Sequence, residues 1–593
     1  MFNKKVWFAL LVSIGTISAA DRYEAEDAIV DENSVQKVAD ASASGGFYVN
    51  MKEGALSFKT TVATAGFYTL WVYYSQTGDP VKKVQNLSVN GVICGQIDFP
   101  YTQSFVRLKA SAKIKLPAGV DTISITKSWG WVNIDYIELT PYEDVTPFNI
   151  SSSLVTPNAS ENAKKMYGFL RENFGKKVIS GVMTSDVMQN DGKYTPDTVE
   201  NQTEVAWIIN ASGKTPALLG LDFLHAVGKN SEGEWYQGYT KATLALAENI
   251  FKKGGIPAYC FHWKDPSHAV EAFYTKSSNN TPYTSFNLNN AYMDSSTCTE
   301  FNTSGDEYRA IVRDLDIIAG YLKILADKDV PVLWRPLHEA SGKWFWWGER
   351  GAKACKGLYR LMFERFVNHH HLNNLIWVWT TDEAGDALDW YPGDEYVDIV
   401  GRDFYYYPRV ANHGSLVASF EKIKEMFNGK KIIALSENGS VPYPQNLVDD
   451  GAGWSYFMPW NLDWTMDGWA HDNTAEDWKL IMNHDYVLTL DEMPGWSNYK
   501  VNTIPLSNQV NCKSLKISIK YSNGNLYLNA PGLKLDFLKI YDLQGCYIKT
   551  LNRGVYKEGT YSFPFNNISK GMYLAYVRSN SGADFAILPV LIR

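Results

Sequence analysis

Three stretches of the chain carry different periods. From Tyr23 to about Tyr142, apolar and polar positions alternate in short runs with polar turns between them, as in Phe67–Tyr74 and Asp121–Ile125. A period of two places successive side chains on opposite faces of a strand, and no helix-period segment interrupts it. This predicts a β-sandwich over residues 21–142. From about 161 to 499, apolar runs alternate with helix-period stretches such as Glu307–Asp327. The runs are Val178–Gly181, Pro216–Phe223, Ile256–Trp263, Val330–Leu337, Leu375–Thr380, Val397–Phe404, Lys431–Glu437 and Trp454–Trp460. Eight strand–helix repeats in that length predict an α/β fold, the (β/α)8 TIM barrel. An open doubly wound sheet competes, but no G-x-G-x-x-G follows the first strand and no P-loop occurs. Residues 143–160 are polar, hold Pro147 and Pro157, and predict a short linker. From 500 to 593, runs such as Leu515–Ile519, Phe537–Tyr541 and Met572–Val577 predict a small C-terminal β-sandwich.

The N-terminus reads as an export signal over residues 1–20. Lys4 and Lys5 precede an apolar run, Val6–Ile17, and Ser18-Ala19-Ala20 forms a small-residue cleavage site. That run is short for a membrane span and no later one is long enough. The expected location is therefore extracellular, secreted or at the cell surface. A net charge of -8 disfavours nucleic acid and anionic membrane as partners. The chain has 20 Trp and 36 Tyr, many of them between Trp334 and Trp469. Flat aromatic faces stack on the C–H faces of sugar rings, which points to a glycan, although a Trp-rich core would need the same residues. Six cysteines in 593 residues do not make a disulfide framework. Cys512 with Cys546 and Cys298 with Cys355 are candidate pairs, Cys260 reads as a buried thiol, and no Cys/His spacing suits zinc.

Glycan cleavage needs a proton donor to the leaving oxygen and a group that meets the cationic sugar carbon. In retaining enzymes both are carboxyls. In a barrel they belong at the C-terminal ends of strands. Glu339 lies just past the fourth strand, in PVLWRPLHEASGKWFWWG (Pro331–Gly348), beside a Trp cluster that should raise its pKa. Glu437 ends the seventh strand, in KKIIALSENGS (Lys430–Ser440). Strands four and seven lie nearly across the barrel, so the two carboxyls can face each other over a sugar. In the N-terminal segment Glu24 and Glu26 alternate by two. On a strand they would share a face that a hard cation such as Ca²⁺ could neutralise; a solvated acidic edge is the alternative.

The central segment resembles glycoside hydrolase family 26 over nearly all of Ser160–Trp496. The motifs are WRPLHE…WFWWG, WYPGDEYVDIVGRDFY (Trp390–Tyr405), LSENG (Leu435–Gly439) and AYCFHW (Ala258–Trp263). The resemblance implies Glu339 as proton donor and Glu437 as nucleophile, with no cofactor for catalysis. It implies that His338 tunes the acid and holds the sugar, that Tyr405 hydrogen-bonds Glu437, and that Asp403 supports that network. It places His262, Trp263, Trp344 and Trp460 against substrate. The acid/base loop departs from the family in reading Ala340-Ser341 after Glu339. Residues 21–142 resemble a family 35 carbohydrate-binding module, a jelly roll, through YEAEDA (Tyr23–Ala28), ASGGFYVNM (Ala43–Met51) and GWVNIDYIEL (Gly130–Leu139). This implies a structural calcium on Glu24, Glu26 and Asp135, and sugar contacts by Trp129 and Asn133; Trp129 is equally readable as core. LKIYDLQGCYIKTL and ISKGMYLAYV resemble the sorting domains of type IX secretion, although the end lacks their basic tail, and a plain accessory sandwich is equally readable.

The expectation is a secreted, monomeric, retaining endo-β-1,4-mannanase acting on plant cell-wall mannan, glucomannan or galactomannan. A β-1,3-xylanase, a mixed-linkage β-glucanase, an inverting hydrolase and a non-catalytic adhesin are the alternatives.

Overall fold

The computed structural model describes residues 21–30, 34–78, 81–185 and 198–500. In the C-terminal unit it describes 518–522, 525–530, 535–541, 547–551, 559–564, 571–579 and 585–592. The expected export signal and Cys512 and Cys546 lie outside the described residues.

The N-terminal module is two packed antiparallel sheets. One has Asn133–Pro141 at its centre, flanked by Asp21–Glu24, Phe47–Asn50 and Gly66–Ser75. The other runs in the order Ile29–Val30, Ala55–Val62, Gly119–Trp129, Lys83–Val89, Val92–Phe99. The alternation legible in the sequence fills the space between them. Leu56, Phe58, Leu70, Val72, Leu87, Ile123, Ile125, Ile134 and Ile137 are buried there.

The barrel strands are β1 (Gly181–Met183), β2 (Leu218–Asp222), β3 (Ile256–Cys260), β4 (Val332–Arg335), β5 (Leu375–Thr381), β6 (Ile399–Phe404), β7 (Ile432–Asn438) and β8 (Phe457–Pro459). They are parallel and in sequence order. The expected first strand, Val178–Gly181, is split: Val178–Ile179 pairs with Val487–Leu488 at the barrel's edge, and β1 begins at Gly181. Ile179 N–H donates to Ser455 O at 2.9 Å, which draws the last strand toward the first and nearly closes the barrel. Strands covered on both faces read as continuous apolar runs. Leu333, Ile376, Ile399, Ile432 and Ala434 pack with one core, and Trp334, Trp377, Val400, Ile433 and Leu435 with the helical layer.

The linker is pinned to the barrel. Asn149 N–H donates to Gly429 O at 2.8 Å, and Val155 N–H to Asp398 Oδ1 at 2.8 Å. The module packs on the helix Val417–Met426. A Cβ on Gly95 would lie 2.9 Å from Ser419 Oγ, so only glycine permits this approach. Glu421 of that helix is buried and accepts from Lys113 Nζ (3.3 Å), Tyr142 OH (3.0 Å) and Lys424 Nζ (3.1 Å).

Residues Asn502–Arg593 form a separate unit. It has a three-stranded sheet (Ser518–Ser522, Asn525–Ala530, Gly559–Pro564) and a four-stranded one (Leu535–Tyr541, Tyr547–Thr550, Gly571–Ser579, Phe585–Ile592), both antiparallel. Cys298 and Cys355, a candidate disulfide by sequence, are separate buried thiols: Cys298 Sγ lies 3.3 Å from Ser295 O, and Cys355 sits in the helix Ala352–Phe363. Among the described residues, no helix is long and apolar enough to cross a membrane.

Glu421→Leu should leave the buried Lys113 ammonium without its carboxylate, while Lys424 keeps Asp144 at 2.9 Å. Breaking a buried ion pair from one side costs about 3–5 kcal/mol. Urea denaturation should show that loss, and limited proteolysis should open residues 143–160. An unchanged midpoint would mean that the module is not held through Glu421.

Candidate active site

β4 ends in Arg335, which is 4% exposed. Its Nη1 donates to Asp403 Oδ2 at 2.7 Å and its Nη2 to Glu437 Oε2 at 2.6 Å. Asp403 comes from β6 and Glu437 from β7. Their register carries a bulge: Arg402 faces Leu435, but Asp403 faces Glu437, so Ser436 is the extra residue. Ser436 Oγ donates to Asp403 Oδ1 at 2.7 Å. Gly401 makes room for it, since a Cβ there would lie 2.2 Å from Ser436 Oγ. The bulge turns Glu437 to face Asp403. Tyr405, just beyond β6, donates from its hydroxyl to Glu437 Oε1 at 2.6 Å. Both Glu437 oxygens are thus held by donors that favour the anion.

Glu339 lies beyond β4 in a loop where Leu337 and Glu339 both take φ 53°, the left-handed region. Such strain in non-glycine residues persists only where packing enforces it. Phe345, Trp346 and Trp347 enforce it from beneath: Trp347 Nε1 donates to His338 O at 3.0 Å, and Trp346 Nε1 to Trp263 O at 2.7 Å. The Glu339 carboxyl accepts from Trp344 Nε1 at 3.1 Å. One oxygen each of Glu339, Asp403 and Glu437 lie within 4.8 Å of one another. Burial first, then the charges of Glu437 and Asp403, push Glu339 well above the usual carboxylate range. Asp403 is pushed up to about 6, mainly by burial, with Arg335 opposing.

On the β3 side, His262 Nδ1 meets Asp222 Oδ2 at 2.6 Å, and His262 N–H donates to Asp222 Oδ1 at 3.1 Å. Burial would raise Asp222, but the His262 contacts outweigh it and lower its pKa. Trp460 lies edge-on to His262, with ring centres 5.7 Å apart. Trp344 is 38% exposed at the rim.

Two sequence-based placements are corrected. Trp263 is wholly buried, stacks on Phe261 and donates to Asp314 Oδ2 at 2.9 Å; it is a core residue and does not face substrate. The alternation that turns His262 inward turns its neighbour outward. His338 is 1% exposed and packs edge-on to His262, so it lies beneath the sugar-accessible surface. Burial first, then His262 and Arg335, keep it neutral. Asp403, expected to support Glu437, is bonded to Arg335 and Ser436. Arg335 and Asp222 were missed. An arginine inside an apolar strand shows no site signal by period, but both end barrel strands, where site residues collect.

The module holds a second acidic cluster. Glu26 lies in a single 3-10 turn, Ala25–Asp27, and not on a strand with Glu24 as expected. The carboxyls nevertheless meet at Ser44–Gly46. Ser44 N–H donates to both Asp135 oxygens (3.0 and 3.1 Å) and Ser44 Oγ to Glu24 Oε1 (2.8 Å), while a Cβ on Gly45 would lie 2.4 Å from Glu26 Oε1. Glu24 Oε2 and Glu26 Oε2 are buried without a hydrogen-bond partner. Asp135 is pushed up to about 6 by burial first and then by the two glutamates. Trp129 is 49% exposed with Lys83 Nζ over its ring at 4.5 Å, and Asn133 is bonded to Asn50 and Ser75.

A model of glycosyl hydrolase family 26 matches residues 155–492, and one of carbohydrate binding module family 35 matches residues 21–142. A mannan endo-1,4-beta-mannosidase of Thermothelomyces thermophilus is 32% identical over 498 residues, 81% of this chain and 92% of that one. The crystal structure of a beta-mannanase from a symbiotic protist of the termite Reticulitermes speratus, complexed with gluco-manno-oligosaccharide, is 43% identical. It covers 59% of this chain and 99% of its own, with a TM-score of 0.53. The GH26-CBM35 beta-(1,4)-mannanase of Podospora anserina is 33% identical over 80% of this chain and 99% of its own, with a TM-score of 0.51.

Replacing Glu437 by Gln removes the largest charge that raises Glu339. Carboxyl ¹³C NMR should then find Glu339 titrating at lower pH than in the wild type. An unmoved titration would mean that the two carboxyls do not interact.

Proposed function

The chain belongs to glycosyl hydrolase family 26, and we propose that it is an exported, retaining endo-β-1,4-mannanase with Glu339 as acid/base and Glu437 as nucleophile. The observation that carries this is the spacing. Carboxylate oxygens of Glu339 and Glu437 within 4.8 Å suit covalent trapping, for which carboxyls sit about 5–5.5 Å apart. Inversion needs about 6.5–9.5 Å to admit a water. The mannan class is supported by the printed activities of the relatives, and the module adds a second carbohydrate-binding surface.

Glu437 attacks the anomeric carbon, with Arg335 and Tyr405 fixing its two oxygens. Glu339 delivers its proton to the departing oxygen. Once Glu437 is an ester its charge is gone, so the main charge holding the proton on Glu339 is gone too. Glu339 then accepts a proton from the incoming water. Double displacement needs only these carboxyls and no cofactor. Trp344 and Trp460 offer rings for sugar faces, and His262, oriented by Asp222, offers Nε2 to a hydroxyl. All these side chains come from one chain, which suits a monomer. A non-catalytic adhesin would have no use for a protonated carboxyl opposite an ionised one.

Glu24, Glu26 and Asp135 fit a Ca²⁺ in the module: two buried carboxylate oxygens lack partners, and the third carboxyl is raised by burial first and then by the other two. Export follows from the residue 1–20 pattern, and the C-terminal unit would serve as its sorting domain.

Glu437→Ala should lose about 10⁴-fold or more in kcat on mannan. With azide and an activated β-mannoside it should yield the α-mannosyl azide, whereas Glu339→Ala should yield the β-azide. ¹H NMR of wild-type products should show the β-anomer first. An α-anomer formed first would exclude retention.

The calcium reading has a separate test. Without a cation, Asp135 has a folded pKa of about 6 against an ordinary 3.8. Its contribution to stability is therefore present below about pH 4 and is lost as pH rises through about 6. Melting curves in chelator should decline across that window, and Ca²⁺ should abolish the decline. Identical curves with and without Ca²⁺ would remove the site.

A further inference from the structure

Beside Glu339, on the β5 and β6 side, lies a cavity of about 330 Å³ that the hydrolytic machinery does not use up. Glu339, Trp344, Thr380 and Tyr405 line it from the barrel. Lys82 and Gln96 line it from the N-terminal module. An accessory module is expected to bind its own glycan elsewhere; here it forms part of the catalytic cleft.

Which end of the substrate this cavity faces follows from the chemistry. Glu339 hands its proton to the leaving oxygen, so the leaving sugar lies on the Glu339 side. His262 and Trp460, just beyond β3 and β8, occupy the other side. The cavity adjoins Glu339 away from that pair, so it faces the leaving group.

Its polar inventory suits a neutral polyol. Lys82 Nζ lies 3.3 Å from Asp382 Oδ2 and 3.7 Å from Asp98 Oδ2. Asp382 also accepts from Ser341 Oγ at 2.8 Å, and Arg402 is paired with Glu383 at 3.0 Å. The charges thus offset one another, which disfavours an anionic ligand. An ammonium has three donors, and two carboxylates leave one for a hydroxyl. Thr380 Oγ1 is buried on this wall with no hydrogen-bond partner. A buried hydroxyl without a partner is costly, and a sugar hydroxyl would satisfy it. The volume is at the lower end of the about 300–1,000 Å³ of small-ligand sites.

The module residues are held in place. Gln96 Nε2 donates to Asn86 Oδ1 at 3.1 Å, and Asn86 Nδ2 donates to Tyr407 O of the barrel at 2.9 Å. We propose that Lys82 and Gln96 form part of the leaving-group subsite, binding hydroxyls of the neutral hexosyl unit that departs from Glu339. The assignment rests on the hydrolase reading above.

The test compares full-length wild type, Lys82→Ala, Gln96→Ala and Lys109→Ala. Lys109 pairs with Glu425 at 3.0 Å across the same module–barrel interface but lies outside the cavity. With manno-oligosaccharides, the Lys82 and Gln96 variants should each lose about tenfold in kcat/KM, and should transfer less glycosyl to added mannotriose. With an aryl β-mannobioside, whose leaving group has no sugar hydroxyls, they should stay within about twofold of wild type. Lys109→Ala should match wild type on both substrates. The subsite is overturned if the Lys82 and Gln96 variants equal wild type on oligosaccharides. It is likewise overturned if they lose both activities in parallel, or if Lys109→Ala reproduces their loss, since those patterns report module docking. A wild type inactive on both substrates would instead refute the hydrolase reading on which the subsite rests.

Discussion

A guanidinium taken wholly out of water must be met by anions, because an unpaired buried charge costs several kcal/mol. Arg335 meets two, Asp403 and Glu437, each through its own nitrogen. Three carboxyls and one guanidinium crowd the barrel mouth, and they cannot all be ionised cheaply. One proton must be kept. Arg335 decides where, because it stabilises the anions of Asp403 and Glu437 by direct contact, while Glu339 has only the neutral indole of Trp344. The proton therefore resides on Glu339, the carboxyl raised well above its usual range. A single buried cation thus gives two chemically identical side chains different surroundings.

That arrangement tolerates little slack, and the fold removes slack at two points. The bulge at Ser436 sets Glu437 opposite Asp403 instead of one residue out of step, and Gly401 leaves room for the bulged side chain. On the other wall, the left-handed turn at Leu337 and Glu339 lifts the acid over the cleft. The buried rings of Phe345, Trp346 and Trp347 hold that turn in place. Aromatic mass in this region thus does two jobs. Much of it is scaffold for Glu339, while the rim rings, exposed Trp344 and half-buried Trp460, remain open at the cleft.

This division explains what the sequence could and could not reveal. The eight apolar runs and the two glutamates at strand ends were legible because period and position along a strand are local properties, while Tyr405 came from the family resemblance. Trp263 was misjudged although the same alternation, applied one residue further, turns it away from His262. Glu26 was placed on a strand that has already ended in a 3-10 turn; its carboxyl reaches the cluster through the Ser44–Gly46 turn, which no local period announces. Arg335 and Asp222 required knowing which residues lie across the barrel. Lys82 and Gln96 lie in another module, and the docking of that module on the barrel, through contacts such as Gly95 on Ser419 and Asn86 on Tyr407, brings them to the cleft. Local chemistry was readable; convergence over hundreds of residues was not.

The electrostatic layout also fits the charge that develops during cleavage. The sugar carbon becomes cationic, so positive charge should be kept from it and negative charge kept close. Arg335 is cationic, but its two nitrogens are turned to Asp403 and Glu437, which meet it with carboxylate oxygens. His338 is held neutral by burial, so it adds no charge beside His262. On the leaving-group side, Lys82 faces Asp382 and Asp98, and Arg402 faces Glu383. Arg335, Lys82 and Arg402 are thus each paired with a carboxylate before substrate arrives. Arg335 alone faces two carboxylates, Asp403 and Glu437, so the barrel mouth keeps an excess of negative charge.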